Sequence, residues 1–172
     1  MKAVRFLLVT LVMYGCSERA PITAPQSAPP PPQASLLGDL WGATGLLQCP
    51  NLPYGSAPQT IGSAGGTIQV GPHTLTVPAG ALLAPVAITG DLVTGYGVNA
   101  VRFRAAGLQF QRSAYLTMSY ADCNLLGLLL PKQVAYVGDD LSILSYLLSF
   151  DNLFASQATG TVNHFSNYAV AG

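Results

Sequence analysis

From Ile61 to the C-terminus, apolar and polar positions alternate in short runs separated by turn-forming residues. Alternation at period two marks a strand with one face in a core and the other in water. The first run, 67–70, opens after Gly65 and Gly66. Gly71 and Pro72 turn it into His73–Val77, where Leu75 and Val77 share a face. Pro78 and Gly80 end that run; 86–89 is the next strand, followed by a loop at 95–97. In 98–104, Val101 and Phe103 point one way, Arg102 and Arg104 the other. In 115–120, Leu116, Met118 and Tyr120 share a face opposite Thr117 and Ser119. Gln133–Val137 follows Pro131, 138–140 is a turn, and 159–165 and 168–171 close the chain. Residues 142–150 are ambiguous. Leu141, Leu144, Leu147 and Leu148 fit a helical stripe, but the β context favours a single buried strand. Short strands at this spacing build a sandwich or barrel. The expectation is all-β: an antiparallel β-sandwich over 61–172.

Composition supports strands. Charged residues are 8% of the chain and hydrophobic ones 50%, against about 25% charged in an ordinary globular protein. Glu18 is the sole glutamate, whereas helix surfaces lean on Glu and Lys. Net charge is zero, and no run of Lys or Arg occurs beyond the first residues. That argues against nucleic-acid binding through a basic face.

The N-terminus reads as an address. Lys2 and Arg5 precede an apolar block, FLLVTLVMY, and Gly15 precedes Cys16. Charged start, short apolar core and small residue at a cut site make 1–15 a secretory signal peptide. The block is shorter than the about 20 residues of a spanning helix. VMYGC resembles a bacterial lipobox, with Met13 and Tyr14 where a leucine and a small residue are usual. Cys16 is thus expected to carry lipid and to hold the protein to a membrane. Two acyl chains would give stable anchoring, and the alternative is a plain signal cut elsewhere. Ser17, by resemblance to enterobacterial sorting, favours the outer membrane, so the expected location is the cell envelope on its extracytoplasmic side.

Residues 16–35 are the lipidated cysteine and a Pro-rich linker, with six prolines at 21, 25, 29, 30, 31 and 32. Proline fixes φ and removes amide donors, so this is an expected disordered tether, extended at about 3.1 Å per residue. A PxxP ligand is the alternative use. Residues 36–60 form a lead-in. Its apolar stretch 36–48 holds Trp41 among three glycines and reads as a short helix or strand covering one end of the sandwich, or as a patch that touches a membrane or partner.

GGTIQVGPHTLTVPAGAL (65–82), VRFRAAGLQFQRSAYLTMSY (101–120), VAYVGDDLSIL (134–144) and HFSNYAVAG (164–172) together resemble the ZU-five domain, the β-sandwich of zonula occludens, netrin-receptor and ankyrin proteins. Ala105 and Ser113 stand where that family often has proline. The resemblance covers 61–172 and implies protein–protein contact rather than metabolism, hence a non-enzymatic module with a protein partner and no cofactor; this is analogy at the level of fold. It also implies an alternative. His164-Phe165-Ser166 resembles a self-cleavage site of certain eukaryotic relatives. Carried over, the Ser166 hydroxyl would attack the Phe165 carbonyl with His164 as base, cutting between Phe165 and Ser166. By alternation, Phe165 instead belongs in the core, with His164 and Ser166 on the opposite face.

If Cys16 is lipidated, Cys49 and Cys123 remain as an even pair, and in an exported domain such a pair suggests a disulfide. Free thiols and a metal pair are the alternatives; the two histidines lack ligand spacing to these cysteines. His73 reads as a surface or edge histidine at a strand start. Asp91, Asp122, Asp139, Asp140 and Asp151 read as turn acids, and Asp139 with Asp140 as a solvated pair rather than a calcium site. No G-x-S-x-G turn occurs.

Overall fold

In the computed structural model, residues 45–105, 108–125 and 130–172 are described. The expected signal peptide at 1–15, Cys16, the expected Pro-rich tether and Trp41 lie outside them. The chain divides into two units, Met1–Ser35 and Leu36–Gly172. The described residues belong to the second unit, and they form strands, turns and loops without helix.

Eleven strands run in chain order: β1 (Ser56–Ile61), β2 (Gly66–Val70), β3 (His73–Val77), β4 (Val86–Val93), β5 (Ala100–Arg104), β6 (Gln109–Ser119), β7 (Gln133–Val137), β8 (Ile143–Tyr146), β9 (Ser149–Asn152), β10 (Gln157–His164) and β11 (Asn167–Ala171). They pair antiparallel into two sheets, β1-β4-β5-β11-β7-β8 and β2-β3-β6-β10-β9. The fold is a β-sandwich. Its first strand begins at Ser56, ahead of the expected opening at Ile61.

The alternation places side chains as read from sequence. Ile68, Val70, Leu75, Val77, Leu116 and Met118 of the smaller sheet meet Ile88, Val101, Phe103, Val134 and Tyr168 of the larger one in one buried cluster. Each such side chain taken fully out of water stabilises the fold by about 1.5–3 kcal/mol before chain entropy is charged against it. Two glycines let the sheets meet. A Cβ on Gly90 of β4 would lie 2.4 Å from Val70 Cγ2, and one on Gly160 of β10 would lie 2.6 Å from Val134 Cβ. Across the outer face of the larger sheet, Ala100, Ala169 and Ala135 stand in register on β5, β11 and β7. Leu46 packs on this small-residue row and bridges to Ala171, while Leu47 donates its N–H to the Val170 carbonyl at 3.0 Å. The end of the lead-in therefore covers part of the sandwich.

Residues 142–150 are not one strand. β8 lies at the edge of the larger sheet and β9 at the edge of the smaller one. Between them Leu147 N–H donates to the Val134 carbonyl at 2.9 Å and Leu148 C=O accepts from Thr161 at 3.0 Å. One residue holds each sheet, so the chain steps from layer to layer here. That crossing explains the mixed periodicity of the segment.

Candidate functional site

His164, Phe165 and Ser166 form the end of β10 and its turn into β11. A register shift between Val162 and His164 bends the strand here. Phe165 is buried, with its ring 4.5 Å from that of Phe110 and 6.4 Å from that of Phe103. Its N–H donates to the Leu108 carbonyl at 3.1 Å, and the Ser166 carbonyl accepts from Phe103 N–H at 2.9 Å. The His164 ring stands edge-on to Tyr136 at 5.0 Å, and its carbonyl accepts the Tyr168 hydroxyl at 2.6 Å. Burial pushes that tyrosine's hydroxyl pKa upward, so it stays a donor.

Ser166 opens instead onto a groove of about 410 Å³, lined also by Arg102, Arg104, Tyr136, Asp139 and Asn167. The Arg102 guanidinium donates to Asn167 Oδ1 at 3.1 Å and to Asp139 Oδ1 at 3.3 Å. Asn167 Nδ2 donates to the same Asp139 oxygen at 3.0 Å. Arg102 and Asp139 are well exposed, so their pairing contributes little to stability. Beside them Arg104 Nε donates to Asp91 Oδ2 at 2.7 Å, and the Tyr54 hydroxyl donates to Asp91 Oδ1 at 3.3 Å. Burial alone would raise the Asp91 pKa. Hydrogen bonds from Ser56, Arg104 and Tyr54, with the Arg104 charge, hold it below the usual value. Each charged group of the groove already has an internal partner. For the tripeptide's nucleophile and base, among the described residues, no hydrogen bond joins the His164 ring to the Ser166 hydroxyl, and no cis bond or left-handed φ falls at 164–166. The groove offers contact surface with a satisfied polar rim.

Other candidates move. His73 is fully buried, not at the surface: Leu75 and Val77 share its face of β3, and both are core. Its Nδ1 accepts the Ser119 N–H at 3.1 Å. Burial lowers its pKa to about 4, with Asp122 opposing. Asp91 and Asp151 are strand residues of β4 and β9, not turn acids. Asp139 and Asp140 do sit in the β7–β8 connection, where Asp140 Oδ1 accepts the Ser142 hydroxyl at 2.6 Å and the Ser142 N–H at 3.0 Å. Among the described residues, no group of three His, Cys, Asp or Glu could hold a metal ion.

Cys49 and Cys123 are joined in a disulfide across 74 residues. Free thiols and a metal pair are thereby set aside for these two residues.

The chain matches no family model and no curated protein. Its function must therefore be argued from its own residues. They place one covalent clamp, between the lead-in and the turn after β6, and one polar groove, at the opposite end of β5.

Proposed function

We propose that this protein is an envelope lipoprotein: lipid on Cys16 anchors it outside the cytoplasm, the Pro-rich tether spaces it, and the β-sandwich is a non-enzymatic interaction module. The observation that carries this reading is the Cys49–Cys123 disulfide. Structural disulfides persist in oxidising compartments outside the cytosol. With these two cysteines paired, Cys16 is the remaining one, and it follows directly on a signal-like apolar block. Ser17 favours the outer membrane. The resemblance to the ZU-five family supports contact with a protein partner, and the open edges of the sheets are suited to it. β1 carries Pro58, a residue that blunts an edge strand, whereas Leu144, Tyr146, Leu148 and Phe150 of the β8–β9 edge are exposed. An exposed apolar edge is a surface on which a partner strand can dock.

Growth with a radiolabelled fatty acid tests the anchor. The wild-type chain is expected to take up label and to fractionate with the envelope, and Cys16→Ser to take up none. Label-free wild-type protein would sink the lipoprotein reading.

A further inference from the structure

One end of the sandwich differs from the rest of its surface. β5, β7 and β10 begin there, and β6, β9 and β11 end there. Three connections crowd that end and are tied together. Tyr120 N–H donates to the Ser156 carbonyl at 2.8 Å. Asp151 accepts both the Tyr120 hydroxyl and the Lys132 N–H, at 2.5 and 2.7 Å. Asn51 Oδ1 accepts the N–H groups of Gly95 and Gly97, at 3.1 and 2.9 Å, and so holds Tyr96 out at the tip of its loop. Left-handed φ values of 93° at Gly95 and 67° at Gly97 shape that tip.

The side chains this scaffold presents are apolar. Leu153 and Phe154 stand out from the β9–β10 turn at 67% and 104% exposure, Tyr96 at 62%, and Leu125 and Leu130 are partly exposed beside them. Charge is nearly absent. Among the described residues, Lys132 is the only basic side chain at this end, and it is buried. Arg102, Arg104 and Arg112 lie toward the far end, the last donating to the Ala79 carbonyl. Of the acids, Asp151 is turned to its two donors, and Asp122, the exposed one, accepts from Asn99 Nδ2 at 2.8 Å.

This is also where the chain enters. Asn124 N–H donates to the Gln48 carbonyl at 2.8 Å, Gly172 N–H donates to the Gly45 carbonyl at 3.1 Å, and the disulfide clamps Cys49 to Cys123. The first described residues, Gly45 to Cys49, thus lie at the same end as these apolar loops. On the tethered reading proposed above, anchoring at Cys16 would make each encounter of the domain with the membrane intramolecular.

We propose that this end of the sandwich is a lipid-contacting surface: Leu153 and Phe154, flanked by Leu125 and Leu130, enter the boundary between headgroups and acyl chains, and Tyr96 sits at the headgroup level. Leucine and phenylalanine gain free energy on leaving water for that boundary, and an aromatic with a polar tip favours the interface. With no basic cluster, the attraction is hydrophobic rather than electrostatic, so neutral lipid suffices. The inference extends the tethered reading above but is tested without the lipid.

The probe is the full mature chain carrying Cys16→Ser, mixed with neutral phosphatidylcholine vesicles. It is expected to sediment with them, equally in low and high salt. Leu153→Ser with Phe154→Ser is expected to weaken that binding at least tenfold. Both side chains are exposed, so an unchanged thermal melt verifies that the double variant folds. In a Trp41→Phe background, Phe154→Trp gives a single reporter, expected to shift to shorter wavelength on vesicles and to be quenched by brominated lipid. No sedimentation of the Cys16→Ser chain, or an unshifted reporter, overturns the inference. So does a dimer in sedimentation velocity that the double variant abolishes while vesicle binding is absent, because a second copy would then be the occupant. The two readings fail separately: labelled Cys16 with no vesicle binding sinks only this one, and vesicle binding without label sinks only the anchor.

Discussion

Asp151 on β9 accepts the Tyr120 hydroxyl at 2.5 Å, and its other oxygen accepts the Lys132 N–H at 2.7 Å. One carboxylate thus joins the ends of β6, β7 and β9, across both sheets. Burial, and then Asp151 itself, push the tyrosine hydroxyl pKa upward, which keeps it a donor. Hydrogen bonds to a charged acceptor are worth about 1.5–3 kcal/mol, and donors left unmet add a penalty. Asp151→Ala is therefore expected to cost about 2–4 kcal/mol in urea unfolding. Tyr120→Phe removes one donor and leaves the carboxylate its other partner, so it should cost about 1 kcal/mol.

His73 makes stability depend on pH. Its ring is buried and accepts from Ser119; burial, opposed by Asp122, lowers its pKa from 6.5 to about 4. The folded value lies below the unfolded one, so the contribution is present above pH 6.5 and is lost as pH falls toward 4. At about 1.36 kcal/mol per unit the full loss is about 3 kcal/mol. Asp91, whose pKa is lowered below the carboxylate value, loses its contribution at more acid pH, so the histidine window can be read separately. Urea midpoints measured from pH 7 to pH 4 should fall steeply in wild type. His73→Asn keeps an acceptor for Ser119, is less stable at pH 7, and should give a flatter curve across that window.

Much of this could be read from residue parity. The alternation in β5 and β6 placed Val101, Phe103, Leu116 and Met118 in the core, and they are buried. The same rule carried the signal for His73, which shares parity with Leu75 and Val77; its place at a strand start beside the Gly71-Pro72 turn pointed to the surface instead, and parity won. The break in 142–150 was not legible, because a strand that changes sheets shows no single period. The pairing of Cys49 with Cys123 was suggested only once Cys16 was set aside for lipid, and free thiols or a metal pair stayed open until the disulfide between them was seen. The Asp151 clamp and the Asn51 bracket on the Tyr96 loop join residues far apart in sequence through side-chain hydrogen bonds, and local pattern holds no trace of these.

Gly160 is a packing requirement. It sits mid-strand in β10, where a glycine ordinarily weakens a sheet. A Cβ there would lie 2.6 Å from Val134 Cβ and 3.0 Å from Val134 Cγ2, both on the opposing sheet. Overpacking a dense core costs about 1–3 kcal/mol. Gly160→Ala should lower stability by that amount in urea unfolding. Adding Val134→Ala makes room for the methyl, so the double variant should be destabilised by less than the sum of the two single changes.

The bond between Phe165 and Ser166 should remain intact. Attack by the Ser166 hydroxyl on the Phe165 carbonyl needs a base within reach and a strained peptide. The His164 ring is packed edge-on against Tyr136 at 5.0 Å, and among the described residues no hydrogen bond joins it to the hydroxyl of Ser166, which lines the groove with Arg102 and Asn167. Phe165 N–H and Ser166 C=O are both taken up by neighbouring backbone, at 3.1 and 2.9 Å. β11, which begins just beyond the bond, runs between β5 and β7 and is buried along its length. A cut would leave that central strand held without a covalent link. Intact-mass analysis of the purified protein under denaturing conditions is expected to give one uncut species, unchanged after prolonged incubation and identical in behaviour to Ser166→Ala. A C-terminal fragment beginning at Ser166, absent from the Ser166→Ala protein, would establish the self-cleaving chemistry instead.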